Sequence, residues 1–166
     1  AVVSVLNIPD DNVMLKSKIG DDLEFLPLTD DYWVACINKN HPLASKTNLT
    51  LKAIFNEPLV IEYPDYPEAG IDRITLDYYR EFGNPQIKKI VDSENLFYSA
   101  IQNNNYIGFA SRFFVARNEN LYSNVVFKEF SPTINSQIGC LFSKRDRDSE
   151  PVRMFVKYLK EQLDIK

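Results

Sequence analysis

Residues 86–110 read QIKKIVDSENLFYSAIQNNNYIGFA, and this stretch decides the fold class. The run from Gln86 to Val91 is rich in Ile and Val and ends on Asp92 and Ser93, either of which caps a helix. In the helix that follows, Leu96, Phe97, Ala100 and Ile101 recur at helical spacing. "YIGFA" (Tyr106–Ala110) then reads as a further strand. Upstream, "PLVIEY" (Pro58–Tyr63) is another strand. It leads through "PDYPEAG" to a helix carrying Ile71, Ile74, Tyr78 and Phe82 and ended by Gly83. Strand–helix–strand–helix–strand is the order of a right-handed parallel α/β unit.

Working outward, "AVVSVLNI" at the start reads as a strand buried on both faces and broken by "PDDN". "LEFLPL" (Leu23–Leu28) and "DYWVACINKN" (Asp31–Asn40) read as two strands separated by Thr29 and Asp30. In "HPLA", Pro42 fixes its own φ and pushes His41 away from the helical region, so His41 marks a corner. A short helix is expected over Leu49–Phe55, capped by Asn48 or Thr50. "SRFFVARN" reads as a short helix or turn, and "NVVFKEF" and "SQIGCLF" as two strands joined by "SPTIN". "SKRDRDSEP" is an exposed charged loop. A last helix follows, capped by Ser149, with Pro151 in its first turn and Val152, Phe155, Leu159 and Leu163 on its buried face. The chain is expected to leave one lobe near Leu28–Tyr32 and return near Val125–Phe130. That places residues 1–28 plus 128–166 in a first lobe and 29–127 in a second, with a hinge between them. A core strand at the first residue raises the expectation that a longer protein extends upstream.

The 166 residues are 45% apolar and 13% aromatic, with net charge −4 and pI near 5.1. This balance excludes a disordered tail and lacks the basic surplus of a nucleic-acid binder. Cys36 and Cys140 sit in apolar runs and read as buried free thiols. With one histidine and no CxxC, neither a metal site nor a cofactor is expected. No apolar run reaches the roughly 20 residues of a membrane span, and a reducing cytoplasmic compartment fits best. No GxSxG or activated nucleophile accompanies His41, so no catalytic residue is assigned and an enzyme is not expected.

"HPLA" after a strand, then "LTLKAIFNEPLVI", then "SAIQNNNYIGFASRF" (Ser99–Phe113), then "EPVRMFVKYLKEQL" occur in this order over nearly the whole chain. The set resembles the effector-binding domain of LysR-type transcriptional regulators. Two departures stand out. Asn104 and Asn105 replace a usual glycine, and "ASR" replaces a usual "lP" ending. The resemblance implies two Rossmann-like lobes of the type 2 periplasmic-binding-protein kind, the first incomplete here. It also implies a small effector held between the lobes and allosteric control of transcription. Self-association as a dimer or tetramer is implied for the full-length protein, and contact with DNA only through an N-terminal helix-turn-helix domain missing from this chain.

In open α/β sheets, ligands sit beyond the carboxyl ends of strands. That rule selects Asn7 and Ile8, Tyr63, Pro64 and Tyr66, Ser93, and Ser111 with Arg112. Ser93 is a helix cap first. Arg112 favours a small organic anion, which a guanidinium holds in a bidentate way. A transporter's solute-binding protein, or an enzyme on the same two-lobed fold, are the competing classes.

Overall fold

The computed structural model describes residues 4–9, 21–62, 73–118 and 122–162. The chain divides into two compact units, residues 1–31 with 135–166, and residues 32–134.

In the first unit, β1 (Ser4–Pro9) pairs antiparallel with β7 (Asn135–Ser143), and β7 lies beside the N-terminal half of β2 (Leu23–Asn38). The two strands expected over 23–40 are therefore one. Thr29 is a good strand former, and the strand runs unbroken through half-buried Thr29 and exposed Asp30, so their polarity marks contact with solvent rather than a break. The last helix, α5 (Glu150–Gln162), lays Val152 on Leu28, Cys140 and Phe142, with Phe155, Val156 and Leu159 half-buried beside them. Leu163 falls outside the described residues. Ser149 stands at the cap position through its carbonyl, which accepts from Arg153 N at 3.1 Å. Its hydroxyl is buried without a partner among the described residues, so the expected side-chain cap is not made. The charged loop forms a short 3₁₀ turn, Lys144–Asp146, and Arg147 pairs with Glu24 at 3.4 Å.

The second unit is a mixed sheet with helices on both faces. β3 (Pro58–Glu62) pairs parallel with β4 (Gln86–Val91). On its other side β3 meets the start of β5 (Gly108–Ser111) through a parallel bridge from Leu59 to Ile107. β5 in turn pairs antiparallel with β2, and β2 with β6 (Val125–Lys128). The parallel unit expected from the sequence is thus present, extended by two antiparallel neighbours. Side chains alternate across it as the pleat requires. Trp33, Ala35, Ile37, Leu59, Ile61, Ile107 and Phe109 join one core with α1 (Leu51–Phe55) and Leu76 of α2 (Arg73–Tyr78). Val34, Cys36, Val60 and Ala110 join the other with α3 (Glu94–Asn104) and α4 (Arg112–Asn118).

Two helix faces differ from expectation. On α3 the buried residues are Phe97, Tyr98, Ala100 and Ile101, while Leu96 is 49% exposed. Three consecutive large apolar residues offer two possible stripes, and Gly108 decides between them. A Cβ there would lie 2.3 Å from Phe97 Cζ, so the bare strand lets Phe97 sit down on the sheet. The helix expected to run to Phe82 breaks after Tyr78 into a 3₁₀ turn, Arg80–Phe82. Its inner face is Leu76, Tyr79 and Phe82, and Tyr78 is 56% exposed. Ile71 lies outside the described residues, and Ile74 is described in backbone only.

His41 is the corner that its neighbour Pro42 requires. It is buried, and its Nδ1 accepts from Leu43 N at 3.1 Å, capping the 3₁₀ turn Pro42–Ser45. Nε2 faces Glu57 at 3.6 Å. Thr50, of the two candidate caps, closes α1 by accepting from Ala53 N at 3.2 Å. Asn105 resolves the missing glycine. It sits at φ 55° and ψ 27° at the end of α3, a left-handed conformation that asparagine tolerates better than other side chains. The carbonyls this helix end leaves open are met by Asn38 Nδ2, 2.7 Å from Gln102 O. Cys36 and Cys140 are buried free thiols.

Candidate functional site

Strand polarity brings the carboxyl ends of β3, β4 and β5 to one edge of the second unit. Glu62 ends β3. Asp92 and Ser93 follow β4. Ser111 ends β5 and Arg112 begins α4. Ser93 caps α3, its hydroxyl accepting from Leu96 N at 3.5 Å. Ser111 is fully buried, pairs in register with Trp33, and accepts from Phe114 N at 3.4 Å. Ser93, Ser111 and Arg112 therefore share an edge, and both serines also serve their own helix starts. Asn7 and Ile8 belong to the first unit, where they pair with Ile138 and Gln137. Tyr63, Pro64 and Tyr66 lie outside the described residues.

The edge carries charged and phenolic groups beyond those singled out from the sequence. Around Arg112, the Tyr32 hydroxyl donates to Glu129 Oε1 at 2.9 Å. This bond to a carboxylate raises the Tyr32 pKa first, burial adds to it, and the nearby Arg112 charge opposes it. Around Ser93, the Tyr122 hydroxyl donates to Glu94 Oε1 at 2.9 Å, and the Tyr122 ring stacks on Tyr98 at 3.6 Å. Burial, followed by the bond to Glu94, pushes Tyr122 up to about 12, and burial raises Tyr98 further. Glu62 is raised by burial and then by the Glu94 charge. Behind it, burial holds the Cys36 thiol well above its usual range, with Glu62 adding to the effect. The edge is therefore divided. Arg112 supplies a cation at the end of β5, and Glu62 with Glu94 supply acceptors near β3 and α3. Tyr32 was missed because its partner Glu129 lies 97 positions away, although the alternation of "FKEF" was a usable signal. No group of three or more metal-ligating side chains occurs among the described residues.

The raised Glu62 pKa has a stability consequence. Folding favours its protonated form, so its contribution is complete below the ordinary carboxylate range and is lost as pH rises through the raised value. Glu62→Gln is expected to melt higher than the native protein at neutral pH, with the gap closing in acid. Thermal melts across pH check this.

No curated protein matches the chain in sequence. Among solved structures, the regulatory domain of CcmR from Synechocystis PCC6803, in complex with 2-PG, is 16% identical with a TM-score of 0.72, over 97% of this chain and 73% of that one. The effector binding domain of QuiR in complex with shikimate is 18% identical with a TM-score of 0.68, over 96% of this chain and 72% of that one. HinK, a LysR family transcriptional regulator from Pseudomonas aeruginosa, is 18% identical with a TM-score of 0.69. The chain covers 52% of HinK's length and is itself covered to 96%. These structural likenesses show the fold. No helix among the described residues is long and apolar enough to cross a membrane. The family profile of the LysR substrate binding domain matches residues 13–164, and with the motifs quoted above and the α/β units described here, the chain belongs to that family.

Proposed function

We propose that this domain senses a small molecule at the strand-end edge of the second unit, without turning it over, and that binding controls transcription by the regulator of which it is part. The ligand places an anionic group toward Arg112 and hydrogen-bond donors toward Glu62 and Glu94. The observation that carries this reading is the convergence of Ser93 with the adjacent pair Ser111 and Arg112 at the carboxyl ends of strands that run parallel on either side of β3. An anion belongs on the Arg112 side, because Glu62 and Glu94 offset the favourable start of α3 at Ser93. That relatives of this fold are held in complexes with 2-PG and with shikimate supports a small ligand of this size class. DNA contact and self-association belong to the whole regulator, and the acidic balance of this chain, net −4, is in keeping with that division. Control requires the ligand to bind two states of the regulator with different affinity.

The test is calorimetric titration with a panel of small organic carboxylates and phosphorylated acids, 2-PG and shikimate among them. A member that binds saturably is expected to bind Arg112→Ala at least about tenfold more weakly, the loss of one charge-assisted hydrogen bond. Ser93→Ala should weaken it less, and Asn7→Ala tests the contribution expected from the first unit. Full retention of affinity by Arg112→Ala contradicts the anion assignment.

A further inference from the structure

A trough of about 440 Å³ lies wholly within the first unit, between α5 and the N-terminal half of β2. It is open because α5 covers only part of the sheet. Side chains alternate along β2, so Glu24, Leu26 and Leu28 share the face toward the helix. Val152 packs with Leu28, Cys140 and Phe142, whereas Leu26 stays half-buried. Leu26 and half-buried Val156 form the open floor, and buried Phe142 and Val152 close it from beneath. The lining follows α5 from Val152 to Glu161, roughly 14 Å of helix at 1.5 Å per residue. The space is therefore long and narrow. Its helix side is cationic. Arg153, Lys157 and Lys160 recur at i, i+4 and i+7, which places them along one side of α5. Their alkyl stems extend the apolar lining while their charged ends reach water. Among the described residues, no carboxylate lies within ion-pair distance of any of the three, whereas Arg147, also in the lining, is held by Glu24 at 3.4 Å. Asp148 precedes the helix and Glu161 stands in its last turn, so a carboxylate bounds each end of the cationic stretch.

We propose that this trough binds a linear medium-chain fatty acid, its tail along Leu26 and Val156 and its carboxylate among Arg153, Lys157 and Lys160. A straight alkyl chain fits a long, narrow space with an apolar floor, and burying it there removes apolar surface on both sides from water. Three cations without a protein counter-charge call for an anionic head group, which charge-assisted hydrogen bonds hold. Asp148 and Glu161 oppose a second negative charge at either end, so the occupant is a monoanion. The lining as a whole carries one more cation than carboxylates, in a chain of net charge −4. The volume falls within the range of roughly 300–1,000 Å³ typical of small-molecule pockets. No residue of the lining belongs to the second unit, so this site is separate from the sensing edge and does not rest on it.

The test is calorimetric titration with monomeric hexanoate, octanoate and decanoate, and with decanol and decyltrimethylammonium as uncharged and cationic counterparts. Decanoate is expected to bind saturably. Affinity should rise along the series by up to about fourfold for each added methylene, the factor for one fully buried CH₂. Decanol should bind at least about tenfold more weakly than decanoate, the loss of one charge-assisted hydrogen bond, and the ammonium more weakly still. The triple variant Arg153→Gln, Lys157→Gln, Lys160→Gln changes only exposed side chains and keeps the fold. It should also weaken decanoate at least about tenfold. Val156→Thr keeps the volume of the floor, adds a hydroxyl to it, and should weaken binding by a smaller factor. Arg112→Ala should leave decanoate binding unchanged, which separates this site from the sensing edge. The assignment is overturned by any of four results: no saturable binding of decanoate, affinity indifferent to chain length, native affinity in the triple variant, or binding abolished by Arg112→Ala.

Discussion

Phe109→Ala is expected to cost about 3–5 kcal/mol of folding stability, the range for truncating a buried phenylalanine. Phe109 is 1% exposed on β5 and meets Phe130 edge-to-face at 5.5 Å. Its strand is hydrogen-bonded on one side to β2 and linked through Ile107 to β3 on the other, so the backbone has little freedom to close the void. The loss combines transfer free energy, an unfilled cavity and a broken aromatic pair worth roughly 0.5–1.5 kcal/mol. Chemical denaturation measures the loss. A loss below about 1 kcal/mol would mean that the core collapses around the gap.

Gly139→Val should destabilise the first unit by about 3 kcal/mol, the upper end for overpacking. A Cβ at this position would lie 2.3 Å from Leu26 O and 2.6 Å from Phe25 Cζ. The ring can turn aside, but the carbonyl belongs to the backbone of β2, so β2 and β7 must part where they lie side by side. Gly139→Ala places the same Cβ against the same carbonyl and should show most of the effect. The comparison of the two by thermal melting separates backbone conflict from added bulk. Alanine being neutral would contradict this close approach.

Polarity along the chain made the α/β unit legible. Strands Pro58–Glu62 and Gln86–Val91, the helix between Ser93 and Asn105, and the return at Gly108 each carry their own local signals. Rotation of a helix about its axis was less legible, because it depends on what the opposite surface allows. Leu96, Phe97 and Tyr98 are consecutive and apolar, and only the bare surface at Gly108 selects the face with Phe97. The break expected at Thr29 and Asp30 failed for the same reason. Polar residues interrupt an apolar pattern whether the strand stops or one side of it meets solvent.

The sensing edge divides along similar lines. Ser93, Ser111 and Arg112 follow from where strands end, which local sequence indicates. Glu62 and Tyr122 matter through groups brought to them by the fold. Tyr122 reaches Glu94 across 28 positions, and nothing in "NLYSN" points to that partner. Arg112 likewise gains its setting from Tyr32 at the opposite end of the unit's sequence.

The most direct test of the sensing edge is amide chemical-shift mapping with the tightest-binding acid from the carboxylate and phosphate panel. The largest shifts are expected at Ser93–Glu94 and Ser111–Arg112, with Arg112→Ala removing them at the same ligand concentration. Shifts confined to the exposed faces of α2 and α5, with the amides of Ser93, Ser111 and Arg112 unmoved, would contradict the account.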